Sequence, residues 1–276
     1  MPETIQTDLA VIGAGSGGLS VAAGAVQMGA RVVLVERALM GGDCLNVGCV
    51  PSKSLLAAAH VAATVRSGSR FGIVCPEPAI DFTRVHAHVH GVIAGIAPHD
   101  SRERFEALGV RVIRATARFT GPDTIEAGGH RIVAKRFVIA TGSRPAVPSV
   151  PGLETVPYLT NETVFDLRER PDRLLVLGGG PVGCELAQGF RRLGAAVGVV
   201  ERLALLPKDD PDAVAVVRAR LLAEGVELFE RTELLRAEPV PEGVALPIRG
   251  GDGAERRIVG SHLLQAAGRE QEEVGR

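Results

Sequence analysis

At 276 residues the chain is long enough for two domains of roughly 100–150 residues, each able to bury its own core. Its 31 Lys and Arg balance 32 Asp and Glu, which leaves no net field to hold nucleic acid or an anionic membrane, and neither is expected as a partner. No apolar run approaches the ~20 residues that span a bilayer, and Met1 to Asp8 has no signal-like basic or apolar region, so a cytoplasmic protein is expected.

In chain order, Leu9 to Ile12 is an apolar run that predicts a buried parallel strand, and it ends in Gly13-Ala14-Gly15-Ser16-Gly17-Gly18. A helix is predicted over Leu19 to Met28, then a turn at Gly29 and a second strand over Arg31 to Val35, closed by Glu36. Strand, glycine turn, helix and strand with a terminal acid make a dinucleotide-binding pattern. Gly13, Gly15 and Gly18 permit the tight turn and the approach of a pyrophosphate to the helix N-terminus, and Glu36 is positioned to bind ribose hydroxyls.

The only close pair of the four cysteines lies in Gly41-Gly42-Asp43-Cys44-Leu45-Asn46-Val47-Gly48-Cys49-Val50-Pro51-Ser52-Lys53. Residues five apart rise ~7.5 Å along a regular helix, more than a disulfide tolerates. The segment must therefore bend if Cys44 and Cys49 bond, and Gly48 supplies the freedom. Pro51 suits the first turn of a helix predicted over Ser52 to Val65, which puts Cys49 near a helix start that favours an anionic sulfur. Redox chemistry competes here with metal binding, a structural disulfide and two unpaired core cysteines. Farther on, a helix over Phe82 to Ile96 carries His86, His88 and His90. Only His86 and His90 share a face, and with no added acid or cysteine no metal is expected. Cys75 lies in a Pro-flanked loop and has no expected redox role.

The strand Arg136 to Ile139 ends in Ala140-Thr141-Gly142, and Pro145, Pro148, Pro151 and Pro157 then predict a semi-rigid crossing. Beyond it the dinucleotide pattern recurs: strand Leu174 to Leu177, Gly178-Gly179-Gly180-Pro181-Val182-Gly183, a helix to Leu193, a turn at Gly194 and an acid at Glu201. Gly178, Gly180 and Gly183 keep the spacing of the first copy, as does Glu201. An acid at this point pairs with a free 2′-hydroxyl and repels a 2′-phosphate, so NAD(H) is expected over NADP(H), with Arg202 as a moderating neighbour. Cys184 is expected to pack as a small residue.

Taken together, Gly13 to Gly18 with Glu36, the cysteine segment 41–53, Ala140-Thr141-Gly142, Gly178 to Glu185 and Ala267-Gly268-Arg269 resemble the pyridine nucleotide-disulfide oxidoreductases. This flavoprotein family contains dihydrolipoamide dehydrogenase, glutathione reductase and mercuric reductase. The Pro-Ser-Lys ending of the cysteine segment is more similar to the dihydrolipoamide and mercuric branches. The resemblance implies an α/β fold of two Rossmann-like domains, a FAD-binding domain over 1–150 that holds the redox disulfide and an NAD(P)-binding domain over 151–276.

It implies FAD at Gly13, Gly15, Gly18, Glu36, Gly42, Lys53, Ala140, Thr141 and Gly142, and the nicotinamide nucleotide at Gly178, Gly180, Gly183, Glu201 and Gly268. The catalytic residues would be Cys44 as the interchange thiol, Cys49 as the thiol against the flavin, Lys53 near the flavin, and Glu185 as the acidic partner of Lys53. The substrate class is a small disulfide or dithiol, or a metal ion. The family is expected to form homodimers through a C-terminal interface domain, which also supplies a histidine–glutamate pair. The sequence stops at Arg276, and Glu270 to Arg276 departs from the proline and asparagine that usually follow Arg269. A truncated form with weak FAD retention and little turnover is therefore expected. The alternatives are an NADH-dependent diaphorase without a disulfide substrate and a non-catalytic nucleotide-binding remnant.

Overall fold

The computed structural model describes residues 3–274. β1 (Glu3–Ile12), α1 (Ser16–Gln27) and β2 (Val32–Glu36) make the first strand–helix–strand motif, and α2 (Gly42–Asn46) and α3 (Cys49–Arg66) carry the close cysteines. α4 (Phe82–Ile96) and α5 (Arg102–Ala107) lead to β3 (Arg111–Arg114), β4 (Arg118–Gly121), β5 (Thr124–Ala127), β6 (His130–Ile139) and the short β7 (Ser143–Pro145). The second motif is β8 (Arg173–Leu177), α6 (Pro181–Arg192) and β9 (Ala196–Val200), followed by α7 (Pro211–Ala223) and β10 (Glu227–Phe229). β11 (Glu233–Leu234), β12 (Glu238–Val240), β13 (Gly243–Arg249), β14 (Glu255–Gly260), β15 (His262–Gln265) and β16 (Arg269–Gln271) complete the described chain.

The elements group into two compact units that interleave in sequence. One comprises Met1–Pro51, His90–Arg144 and Glu270–Arg276, and the other Ser52–Val89 with Pro145–Arg269. The second unit takes in residues 52–89, which lie between two segments of the first unit in sequence. The reason is packing: Leu55 and Leu56 of α3 lie against Gly189 of α6, where an added Cβ would meet them at 3.5 and 3.3 Å, and Phe82 stacks on Phe190 at 6.1 Å between ring centroids.

In the first unit a six-stranded sheet runs in the order β3-β2-β1-β6-β5-β4. β3, β2, β1 and β6 are mutually parallel, and β5 and β4 continue antiparallel. Strands buried on both faces need apolar residues at every position. Accordingly Val11, Val32, Leu34 and Val112 join one core cluster with Leu19 and Ala22 of α1, while Ala10, Ile12, Val33, Val35 and Ile113 join a different one. In the second unit four parallel strands run β10-β9-β8-β15, and β11, β12 and β14 flank β13 in an antiparallel sheet. Leu175, Leu177 and Leu263 of the parallel sheet meet Val244, Leu246 and Ile248 of β13 in one apolar cluster. Among the described residues no helix is long and apolar enough to cross a membrane.

Candidate functional site

In each unit the strand order reverses at the first strand of the motif, the point beyond whose carboxyl ends open α/β sheets bind ligands. In the first unit, Gly13 donates its N–H to Val35 O at 2.8 Å, and Ala140 donates to Ile12 O at 2.8 Å. Gly13 has φ +104°, and a Cβ on it would overlap the Ala140 carbonyl. A Cβ on Gly18 would in turn overlap the Gly13 carbonyl. Both glycines are therefore required by the packing of the protein itself.

Gly15 is different, because a Cβ there would meet nothing closer than Gly42 Cα at 3.9 Å. Gly15 is also the N-cap of α1 and has no side chain to cap the helix, so the first-turn N–H groups remain available to an anion. Gly42 has φ +56°, and a Cβ on it would come within 2.6 Å of Gly15 Cα, so α2 approaches the glycine turn only through a residue without a side chain.

The second unit repeats this construction. Gly178, at φ +111°, donates to Val200 O at 2.9 Å, while Ala266 donates to Leu177 O at 2.8 Å. An added Cβ on Gly178 would lie 2.7 Å from the Ala266 carbonyl, one on Gly183 would overlap the Gly178 carbonyl, and one on Gly180 would meet nothing within 4 Å. Gly180 caps α6 without a side-chain bond, with φ −76° and ψ −177° against −77° and −177° at Gly15.

The two terminal acids do something the sequence did not reveal. Glu36 accepts the Ala14 N–H through Oε2 at 2.6 Å and the Ala38 N–H through Oε1 at 2.7 Å. Glu201 likewise accepts the Gly179 N–H through Oε2 at 2.7 Å and the Leu203 N–H through Oε1 at 2.8 Å. Each carboxylate thus ties its glycine turn to the loop beyond its own strand. Every oxygen keeps a lone pair for a ribose hydroxyl.

Around Glu201 opens a cleft of about 940 Å³, lined by Gly178, Gly180, Arg202, Lys208, Gln265 and Gly268 among others. Gly268 sits at φ +105° and accepts the Ala146 N–H at 3.1 Å. Gln265 is buried and donates to the Ala146 carbonyl, and its Oε1 has no protein partner. Beside Glu36 the cavity is only about 70 Å³. Thr141 and Gly142 face the chain's return segment there: Thr141 Oγ1 donates to Glu272 O at 2.6 Å, and Glu272 donates its N–H to Gly142 O at 3.1 Å. A further groove of about 1020 Å³ in the second unit contains none of the expected nucleotide residues. Its arginines are largely engaged: Arg192 and Arg220 close on Glu224, Arg66 on Glu77, and Arg170 on the Gly194 carbonyl.

The cysteine segment bends between Cys44 and Cys49. α2 ends at Asn46, whose side-chain amide donates to Met40 O at 3.0 Å and Gly42 O at 2.8 Å, and α3 begins at Cys49 itself. The helix starts three residues before the expected Ser52, because Pro51 falls in the first turn, where its missing N–H costs nothing. Gly48 between the helices leaves no room for a Cβ, which would lie 2.8 Å from Asp43 O. Both cysteines are thiols, with Cys44 half-buried and Cys49 exposed. A hydrogen bond with Cys49 raises the Cys44 thiol above its ordinary range, and burial and the Asp100 carboxylate push it the same way. The sequence does not point to Asp100, because its place near Cys44 depends on the tertiary fold.

Four residues after Cys49 on the same helix, Lys53 Nζ donates to Glu185 Oε1 at 2.6 Å. Cys184, next to Glu185, is buried and pushed up to about 12 by desolvation, with the Glu201 charge adding to the shift. His86, His88 and His90 lie on α4 as expected, and no group of three or more His, Cys, Asp or Glu among the described residues is placed to hold a metal ion.

The chain is 38% identical over 268 residues to a mercuric reductase of Streptomyces lividans, an alignment covering 95% of this chain and 56% of the relative. It is 37% identical over 275 residues to a dihydrolipoyl dehydrogenase of Thermus scotoductus, covering 95% and 57%. Among solved structures, the HOCl-induced flavoprotein disulfide reductase RclA from Escherichia coli superimposes with a TM-score of 0.81 at 26% identity, over 96% of this chain and 57% of that one. The chain thus spans about half the length of the curated relatives it matches. Residues 7–276 also match the family model of pyridine nucleotide-disulphide oxidoreductases, and the chain belongs to that family.

Proposed function

We propose that the chain is the nucleotide- and disulfide-bearing part of a FAD-dependent NAD(P)H-disulfide oxidoreductase, with FAD at the first glycine turn and NADH at the second. The observation that carries this reading is the thiol pair: Cys44 and Cys49 are hydrogen-bonded to each other across a forced bend, with Lys53 one helical turn beyond Cys49. Metal binding or simple packing needs neither that bend nor two dinucleotide turns in the same chain.

Both turns fit a dinucleotide, since their first and third glycines are demanded by the protein and only the middle one is left open to a pyrophosphate. When bound, the flavin supplies the two-electron relay between nicotinamide and disulfide. Cys44, as a thiolate, attacks one sulfur of a substrate disulfide and forms a mixed disulfide, releasing the first thiol. Cys49 then attacks Cys44 and releases the second thiol, closing the Cys44–Cys49 disulfide. NADH and one proton return the pair to two thiols, so NADH is oxidised as the substrate disulfide is reduced. Lys53, held by Glu185, would supply a fixed cation to the flavin. Glu201 favours NADH over NADPH by placing a carboxylate where a 2′-phosphate would lie. A metal ion is the other substrate class, in line with the mercuric reductases among the relatives.

The test is NADH-dependent reduction of a small disulfide and of a diffusible quinone by the wild type and by C44S/C49S. The reading expects the double variant to lose disulfide reduction and keep quinone reduction. Unchanged disulfide reduction would assign the activity to a diaphorase instead.

A further inference from the structure

We infer that the return segment Glu272–Val274 closes the adenosine end of the first dinucleotide cleft, so that a dinucleotide enters there only by displacing it. The inference rests on the FAD reading of the first unit and concerns how that site is filled. Glu36 identifies the adenosine end, because the acid at the close of the second strand meets the adenosine ribose. The cavity beside it is lined by Gly13, Glu36, Arg37, Thr116 and Thr141 together with Glu272–Val274.

Its volume of about 70 Å³ is far below the roughly 300 Å³ at which ligand pockets begin. The corresponding cleft in the second unit is about 940 Å³ and is not lined by the return segment. The two units share the glycine turn, the acid latch and the helix cap, and only the first has the return segment along the cavity beside its acid. The return segment is the wall that one has and the other lacks.

Among the described residues five contacts hold the segment, the weakest of them Arg144 Nη1 at 3.9 Å from Glu272 Oε1. The Glu272 backbone pairs with Gly142 O at 3.1 Å and accepts from Thr141 Oγ1 at 2.6 Å, so it sits on the turn expected to serve the cofactor. The Glu272 carboxylate pairs with Arg37 Nη2 at 2.9 Å, and its side chain is only 14% exposed. Val274 packs against the apolar cluster that contains Ile12, Val35 and Ile113. Arg37 directly follows Glu36, so the ion pair fastens the segment to the ribose-binding strand end itself. The family's usual proline and asparagine are replaced by Gln271 and Glu272, and an asparagine could not form this charged clasp.

FAD is titrated into the purified 276-residue protein, with binding read from quenching of flavin fluorescence and association rates from stopped flow. The variants are Glu272→Gln, which removes the charge and keeps the shape, and Val274→Ser, which removes the apolar anchor. A partly buried ion pair contributes on the order of 1 kcal/mol, so Glu272→Gln is expected to bind FAD about fivefold more tightly, with the gain in the association rate. Val274→Ser is expected to shift the same way, and ADP, which carries only the adenosine side, is expected to follow FAD in both. Unchanged or weaker FAD binding in both variants, with the wild type binding measurably, overturns the inference and leaves the FAD reading intact. No FAD binding by any of the three proteins overturns both.

Discussion

Glu201 accepts the Gly179 N–H at 2.7 Å, and Glu36 holds Ala14 in the same way at 2.6 Å, so each glycine turn is shaped by its own acid. The acids therefore serve the fold, and in the proposed reading the same carboxylates also bind the nucleotide. Glu201→Gln keeps one acceptor oxygen but loses the charge from two backbone hydrogen bonds, which costs about 1–2 kcal/mol. Urea unfolding is expected to show that loss, and NADH affinity, read from fluorescence, is expected to fall about tenfold. Weaker NADH binding with unchanged stability would contradict the latch.

The glycines divide by what needs them. Gly183→Ala drives a Cβ into the Gly178 carbonyl and is expected to lower stability by about 2–4 kcal/mol. Gly180→Ala meets open space at an ordinary φ of −76° and is expected to leave the thermal midpoint within a few degrees. Only a ligand needs Gly180, so NADH binding is expected to weaken by at least tenfold in that variant. Calorimetry and NADH titration of the pair check the distinction.

The thiols are separable by reactivity. Cys184, pushed up to about 12 by burial, is expected to resist iodoacetamide in the folded protein at pH 8, whereas exposed Cys49 and Cys75 are modified. Cys44 is raised chiefly by its bond to Cys49. The sign follows: Cys49→Ala removes that bond, lowers the Cys44 pKa and moves the pH dependence of its alkylation to lower pH. Peptide mapping by mass spectrometry over pH 6–10 reads both effects.

The Lys53–Glu185 pair is 2.6 Å long, yet its side chains are 64% and 25% exposed, so it contributes at most about 1 kcal/mol to stability. Lys53→Met is expected to shift the thermal midpoint only slightly while slowing NADH-dependent flavin reduction more than tenfold. Equal small effects on both would leave the pair as a surface ion pair.

The parts of this protein that sequence reveals are those where the backbone admits few alternatives. Gly13 and Gly178 stand at φ above +100° against a carbonyl, and Gly18 and Gly183 stand where a helix crosses its strand, so glycine is required and the motifs are visible. The cysteine segment is legible for the same reason, since Gly48 and Pro51 admit a bend followed by a helix start. What sequence does not reveal depends on contacts across the chain. Leu55 and Phe82 read as ordinary apolar helix positions, and only their packing on Gly189 and Phe190 assigns them to the second unit. Glu272 reads as part of a charged tail, and its bond to Arg37 spans most of the sequence. The roles of Glu36 and Glu201 as latches do not show in the sequence, where an acid expected to bind ribose and an acid that ties a loop look alike.

The central claim, that Cys49 and a bound flavin form one redox unit fed by NADH, is tested most directly by anaerobic titration of the FAD-loaded protein with NADH while the visible spectrum is recorded. The account predicts a long-wavelength charge-transfer band that grows with about one equivalent of NADH and is absent from the Cys49→Ser variant. Flavin bleaching with no such band in the wild type, or the same band in Cys49→Ser, would contradict it.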